Sequence, residues 1–253
     1  APALKAAHIG VAMGQRGTDV AREAAALVLL DDDFASIVDA IRLGRRIYAN
    51  LRQAMRYTLA VHVPIILLSL LPLLMRLPLL LLPAHIAFLE LVIDPSCSVV
   101  FEAQEGPADL MEQPPRRGSQ PLLVVPDMGA ALWQGAVIAL GVMAVYLLAL
   151  HLGTPGGQAR AQAFVALVAA NAALIALTRA MAQGWRQGWL HWPPVQRWVL
   201  GATLLALAGV GLWPPLAGLF GFAALGLAQW VTALVAGVLS VALLQGLSAF
   251  SRT

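Results

Sequence analysis

From Tyr57 onward the chain is a succession of long apolar stretches broken by short polar ones. A helix needs about 20 mostly apolar residues to cross a bilayer. Six segments qualify, at approximately 57–75, 83–101, 128–152, 161–182, 198–216 and 222–250. The last is long enough to tilt or overhang. Residues before Tyr57 keep a different rhythm. His8–Met13 is a short apolar run stopped by Gly14, and Leu27–Leu30 is another stopped by Asp31, Asp32 and Asp33. Both read as buried strands. Between them, Thr18–Ala26 reads as a helix with Thr18 or Asp19 near its N-cap. From Phe34 the apolar positions Phe34, Ile37, Val38 and Ile41 recur at helical spacing, continuing through Ile47, Leu51 and Met55 into the first long apolar segment. One helix is therefore expected to join a small α/β head, residues 1–45, to a membrane domain, residues 46–253. Such a rod can carry motion between the two.

Composition fixes the class. The chain is 60% apolar and 11% charged, with a mean hydropathy of +0.78. Soluble domains carry about a quarter charged residues, so a mainly α, polytopic membrane protein in a lipid bilayer is expected. A net charge of +3 is too small for a nucleic-acid surface. The single cysteine, Cys97, excludes an internal disulfide framework. A start at Ala1, with neither initiator Met nor signal peptide, points to a fragment.

The charges are segregated. All acidic residues lie at or before Asp127, and Lys5, Arg16, Arg22, Arg42, Arg45, Arg46, Arg52 and Arg56 crowd the N-terminal part. If that part is cytoplasmic, Arg116, Arg117, Arg179, Arg186, Arg197 and Arg252 fall on the same side, and only Arg76 and Arg160 face outward. This asymmetry fits an even number of spans, with the head and the C-terminus inside. Trp185, Trp189, Trp192 and Trp198 read as an aromatic belt at one membrane edge.

Candidate chemistry concentrates in the second apolar segment. Glu90 and Asp94 in FLELVIDPSC stand four apart, on one helix face. A carboxylate inside a bilayer costs about 2.5–3.5 kcal/mol on insertion scales, so two on one face require a cation, a proton or a partner. Pro95 follows at once, and the helix is expected to unwind or kink there and free carbonyl oxygens. Hard cations take such ligands. A transported-cation site at Glu90 and Asp94 is therefore expected, against the alternative of carboxyls satisfied by neighbouring helices. His62, before the kink expected at Pro64, is either a ligand, a proton carrier or a partner of these acids, or a satisfied core histidine. Asn171, midway along the fourth segment, is either a further oxygen ligand or a hydrogen-bonded tie between helices. His85 is expected at the membrane interface. Cys97 reads as a small buried residue rather than a soft-metal ligand. Gly10, Gly14 and Gly17 do not keep dinucleotide-loop spacing and read as turn glycines. Asp31–Asp33 read as a solvated helix start rather than a cation site.

The stretch APALKAAHIGVAMGQRGTDVAREAAALVLLDDDFASIVDAIRLGRRIYANLRQAMRY resembles, without gaps, the run that follows the GDGVND magnesium-binding motif in P-type cation-transporting ATPases. FLELVIDPSCSVVFEAQEGPADLMEQPPR is similar to their ion-binding helix, acidic stretch and PPR signature. The resemblance implies the end of a HAD-like phosphorylation domain followed by the last six of ten membrane helices. It puts Asp94 on the family's aspartate ion ligand, and Glu90 and Ile93 where calcium pumps have asparagine and threonine ligands. It puts His62 and Ile65 where they have asparagine and glutamate, and Asn171 near a further acidic ligand. His8 stands where the family usually has an acidic residue. The site is thus rewritten relative to the calcium pattern. The strings DKTGT and TGE, which hold the phosphorylated aspartate and the dephosphorylating motif, do not occur in this sequence. The resemblance therefore implies that ATP and Mg2+ bind in a missing N-terminal part, that this chain alone is inactive, and that the parent pump lies in a bacterial-type cell membrane. Two other readings carry different tests. A stand-alone channel or regulatory subunit would need a head stable without further strands. A proton-coupled secondary transporter using Glu90, Asp94 and His62 would show no ion-dependent ATPase activity.

Overall fold

Local sequence rhythm sets the elements, and the structure follows it closely. The structure, a computed structural model, describes residues 1–102, 104, 106, 109–116, 121–183 and 194–250; at 92–99, 179–183, 195 and 244–250 it describes the backbone alone. Helices dominate, and the described residues separate into two compact units.

The first unit comprises Ala1–Ala49 and Ala108–Pro115. It opens with helix α1 (Pro2–Ala6), followed by strand β1 (Val11–Met13), helix α2 (Asp19–Ala24) and strand β2 (Leu27–Leu29). The strands pair in parallel, Val11 with Leu27, Ala12 with Val28 and Met13 with Leu29. Parallel strands need a crossover, and α2 supplies it. Thr18 caps α2 by accepting a hydrogen bond from the Ala21 N–H at 3.2 Å. Arg22 ties the preceding loop by donating to Gly14 O (2.6 Å) and Gly17 O (2.8 Å), and pairs with Asp19. Gly14 is there for closeness. A Cβ on it would meet Leu29 O at 2.7 Å.

Helix α3 runs unbroken from Ala35 to Leu74, with Pro64 and Pro72 inside it. Its first turns belong to the first unit, where Arg45 donates to Leu110 O (2.9 Å) and Gln113 O (2.7 Å). Residues from Asn50 onward belong to the second unit, which comprises Asn50–Pro107 and Arg116–Thr253.

The second unit continues with α4 (Pro83–Glu102), α5 (Val125–His151), α6 (Gly156–Gln183), α7 (Pro194–Leu212), the short α8 (Pro214–Leu219) and α9 (Leu227–Phe250). Among the described residues, three helical segments are long and apolar enough to cross a bilayer: Ala35–Leu74, Val125–His151 and Gly156–Thr178. Gln196–Leu212 and Leu227–Leu243 are shorter apolar helices. Two expected boundaries move. The fifth apolar segment stops at Leu212, because the paired Pro214 and Pro215 disfavour helix before them. The sixth begins at Leu227, since 222–226 are not helical.

The expected unwinding at Pro95 does not occur. The backbone is helical through it from Pro83 to Glu102. A proline removes a single donor from the helix ladder, and helices inside membrane proteins tolerate that loss when their surroundings compensate. Pro64 is likewise carried within α3. Its missing N–H leaves the Ala60 carbonyl without its usual donor, and that carbonyl faces α5: a Cβ at Gly135 would meet Ala60 O at 2.6 Å and Val63 Cβ at 2.5 Å. α5, α6 and α9 pack on one another through small residues. Ala139, Ala163, Ala166, Ala170 and Ala233 are all fully or nearly fully buried.

Candidate functional site

Two ionisable side chains meet between α3 and α4. His62 Nε2 lies 3.4 Å from Glu90 Oε1. The other ring nitrogen, Nδ1, is 2.8 Å from Thr58 O, one turn earlier on α3. A carbonyl only accepts, so Nδ1 carries the proton in this contact. The imidazole is thereby fixed with Nε2 toward the carboxylate. Both side chains remain partly open, at 36% and 39%. Helical spacing put each residue on a span; only the fold brings them together.

Asp94 is one turn beyond Glu90 on α4. Its side chain lies outside the described residues, as do those of Ile93 and Cys97 and the tryptophans at 185, 189 and 192. Trp198, the remaining member of the expected belt, is exposed. Asn171 is buried in α6 at 6% exposure, and neither its Nδ2 nor its Oδ1 has a hydrogen-bond partner among the described residues. An unsatisfied buried polar group costs about 1–3 kcal/mol. The contrast with nearby hydroxyls is sharp. Ser69, Thr178, Thr203 and Ser240 each donate to the carbonyl four residues earlier in their own helix, at 2.7 to 2.9 Å. Among the described residues, no group of three His, Cys, Asp or Glu side chains converges as a metal cage.

His85 lies in the first turn of α4. It is fully buried. Its Nδ1 accepts from the Leu82 N–H at 2.8 Å, so Nε2 is the protonated nitrogen, donating to Phe220 O at 2.8 Å. The ring stacks on Phe222 with centroids 4.9 Å apart and lies against Phe164 and Phe220. Burial wins because both nitrogens find backbone partners. Arg160 and Tyr146 sew the same end of the unit: Arg160 donates to Leu79 O and Gly221 O, each at 3.0 Å, and Tyr146 to Pro78 O at 2.7 Å.

Sequence reasoning missed a second polar knot. Asp127, in the first turn of α5, is buried and pairs with Arg52 at 2.7 Å and with Arg56 at 3.6 Å. The available signal was two arginines four apart on α3 and an acid opening an otherwise uncharged span.

The aspartates of the head act as loop and helix-start acceptors. Asp33 accepts from the Ala35 N–H at 2.8 Å, and Asp31 from Ser36 Oγ at 2.5 Å. Asp32, at a left-handed φ of 55°, accepts from the Gln15 and Arg16 N–H groups, each at 2.9 Å. The Ser36 hydrogen bond holds the Asp31 carboxyl below its ordinary value, and the Gln15 backbone hydrogen bond does the same for Asp32.

Residues 78–250 match the family described as "Cation transporting ATPase, C-terminus". The chain is 34% identical to a calcium-transporting ATPase of Bacillus subtilis (strain 168), over 97% of the chain and 28% of that protein. It is 30% identical to a calcium-transporting ATPase of Listeria monocytogenes, over 91% of the chain and 26% of that protein. It is 44% identical to the sodium/potassium-transporting ATPase subunit alpha-3 of Gallus gallus, over 49% of the chain and 12% of that protein. The chain thus spans about a quarter of the length of the bacterial relatives it matches.

Proposed function

This chain belongs to the cation-transporting P-type ATPases, whose C-terminal membrane portion it forms, and we propose that within the whole pump it supplies part of the intramembrane cation site. The meeting of His62 and Glu90 at 3.4 Å carries this reading. Asn171, buried with its amide unpartnered among the described residues, supports it as a further oxygen donor. Asp94, one helical turn from Glu90, completes the donor set.

In this reading six helices cross the bilayer, α3 to α7 and α9, with the head and the C-terminus in the cytoplasm and the membrane that of the cell. The head is the end of a HAD-like phosphorylation domain. ATP and Mg2+ act on an aspartate in the N-terminal part of the pump, and the cation crosses between these helices. The calcium-transporting relatives make a divalent ion the first cargo to test.

The test is cation-stimulated phosphorylation of the full-length pump by ATP in membrane vesicles. Asp94→Asn should lower that stimulation, and an unchanged cation dependence would remove Asp94 from the site. The chain by itself should not hydrolyse ATP. Turnover above a buffer control would contradict the division of labour.

A further inference from the structure

We infer that His62 and Glu90 are two adjacent corners of a site for a divalent transition-metal cation of the manganese-to-zinc series, which makes such an ion, and not calcium, the preferred cargo. The inference rests on the pump reading above and sharpens it to a class of substrate.

The imidazole is set up as a metal ligand. Its Nδ1–H is spent on Thr58 O at 2.8 Å, which leaves Nε2 with its lone pair toward Glu90. Metal-bound histidines almost always donate their other ring N–H to a carbonyl or carboxylate, which fixes the tautomer and the ring orientation. The distance to Glu90 points the same way. A charge-assisted N–H···O bond is typically about 2.7–2.9 Å long, whereas His62 Nε2 and Glu90 Oε1 are 3.4 Å apart. Two ligands each about 2.1 Å from a tetrahedral ion stand roughly 3.4 Å apart.

The chemistry of the pair then selects the ion. Calcium takes oxygen donors in sets of about 6–8, and imidazole is a poor substitute for one of them. Imidazole suits zinc and its first-row neighbours, and a carboxylate suits manganese as well. The backbone that presents His62 is also held in place. Two residues on, Pro64 sits buried in α3, and on the α5 side the Val63 side chain and the Ala60 carbonyl leave no room for a Cβ at Gly135. A ligand on such a supported turn keeps its geometry when the ion leaves.

The test uses the full-length pump in membrane vesicles, with Co2+, Mn2+, Zn2+, Ca2+, Na+ and K+ each supplied alone with ATP. The expected result is phosphorylation half-saturated by a transition-metal ion at a concentration at least about tenfold lower than by Ca2+. The purified wild-type pump should also show a visible absorption band when Co2+ binds at a low-symmetry nitrogen and oxygen site. His62→Gln should raise the half-saturating transition-metal concentration about tenfold or more and abolish the Co2+ band. Should His62→Gln fail to accumulate, the ion preference and Co2+ band of the wild type decide alone. Phosphorylation driven by Ca2+ or a monovalent ion, with no response to transition metals and no Co2+ band, overturns the inference while the pump reading stands. Phosphorylation that responds to none of the cations overturns the pump reading itself.

Discussion

His85 and Asn171 are both polar and both buried, at 0% and 6% exposure, yet the helical unit treats them in opposite ways. Both nitrogens of His85 are bonded to backbone, and three phenylalanine rings enclose the imidazole. Asn171 has no partner at either end of its amide among the described residues. A buried polar group that is fully bonded holds a fold together, and one left unbonded weakens it. The end of the unit around His85, Arg160 and Tyr146 therefore reads as architecture. The His62–Glu90 pair, partly open, and Asn171 do not share that bonding among the described residues.

This comparison can be broken experimentally. The largest effect is expected from His85→Ala, which orphans the Leu82 N–H and the Phe220 carbonyl and opens a cavity among the rings. The loss should be about 3–5 kcal/mol, seen as a lower melting temperature of the detergent-solubilised full-length protein. Its half-saturating cation concentration should not change. Glu90→Ala should do the reverse. Apparent cation affinity should fall on the order of 100-fold, since ligands matter at least as much as their supports, with thermal stability little altered. Phosphorylation titrated against cation concentration separates the two.

Asn171→Leu is sharper, because its sign is unusual. The swap keeps the branched heavy-atom shape and removes an unsatisfied amide, so stability should rise by about 1–2 kcal/mol while cation affinity drops. A loss of stability would show that Asn171 is bonded in the working protein and belongs with His85.

Asp127→Asn should cost roughly 1–2 kcal/mol in the same melting assay. The carboxylate is buried, but Arg52 and Arg56 are 43% and 37% exposed, so solvent screens the pair. The smallest effect lies in the head. Asp31 and Asp32 are held below their ordinary value of 3.8 by hydrogen bonds to the carboxylates. Depressed carboxyls stabilise above that value, and the contribution fades as pH falls through the folded value beneath it. Limited proteolysis of the head should accelerate as pH drops below 3.8, and Asp32→Asn should flatten that dependence.

Much of this was legible without coordinates. Thr18 announced its cap, and Leu27–Leu29 its strand. The helical repeat from Phe34 announced a helix that runs without a break to Leu74. Each of these depends on neighbours a few residues away, so local pattern suffices. Of the unwinding or kink expected at Pro95, the unwinding does not occur, because a helix can lose one backbone donor and continue. The bonding of His85 could not be read from the chain either. Its partner is the Phe220 carbonyl, 135 residues on, and no periodicity encodes that distance. Asp127 was passed over because its value lies in two arginines about 70 residues earlier.

The sequence by itself determined that this protein is a charged α/β head joined to an apolar helical body, and which residue types each helix carries. Those properties follow from composition and from a 3.6-residue repeat that every turn restates. Only the tertiary structure decided which polar groups meet. Helix rotation settles whether a histidine faces a carboxylate, a carbonyl or nothing. That rotation is fixed by packing among segments far apart in the chain, where a one-residue turn of a helix swings a side chain by about 100° and exchanges one partner for another.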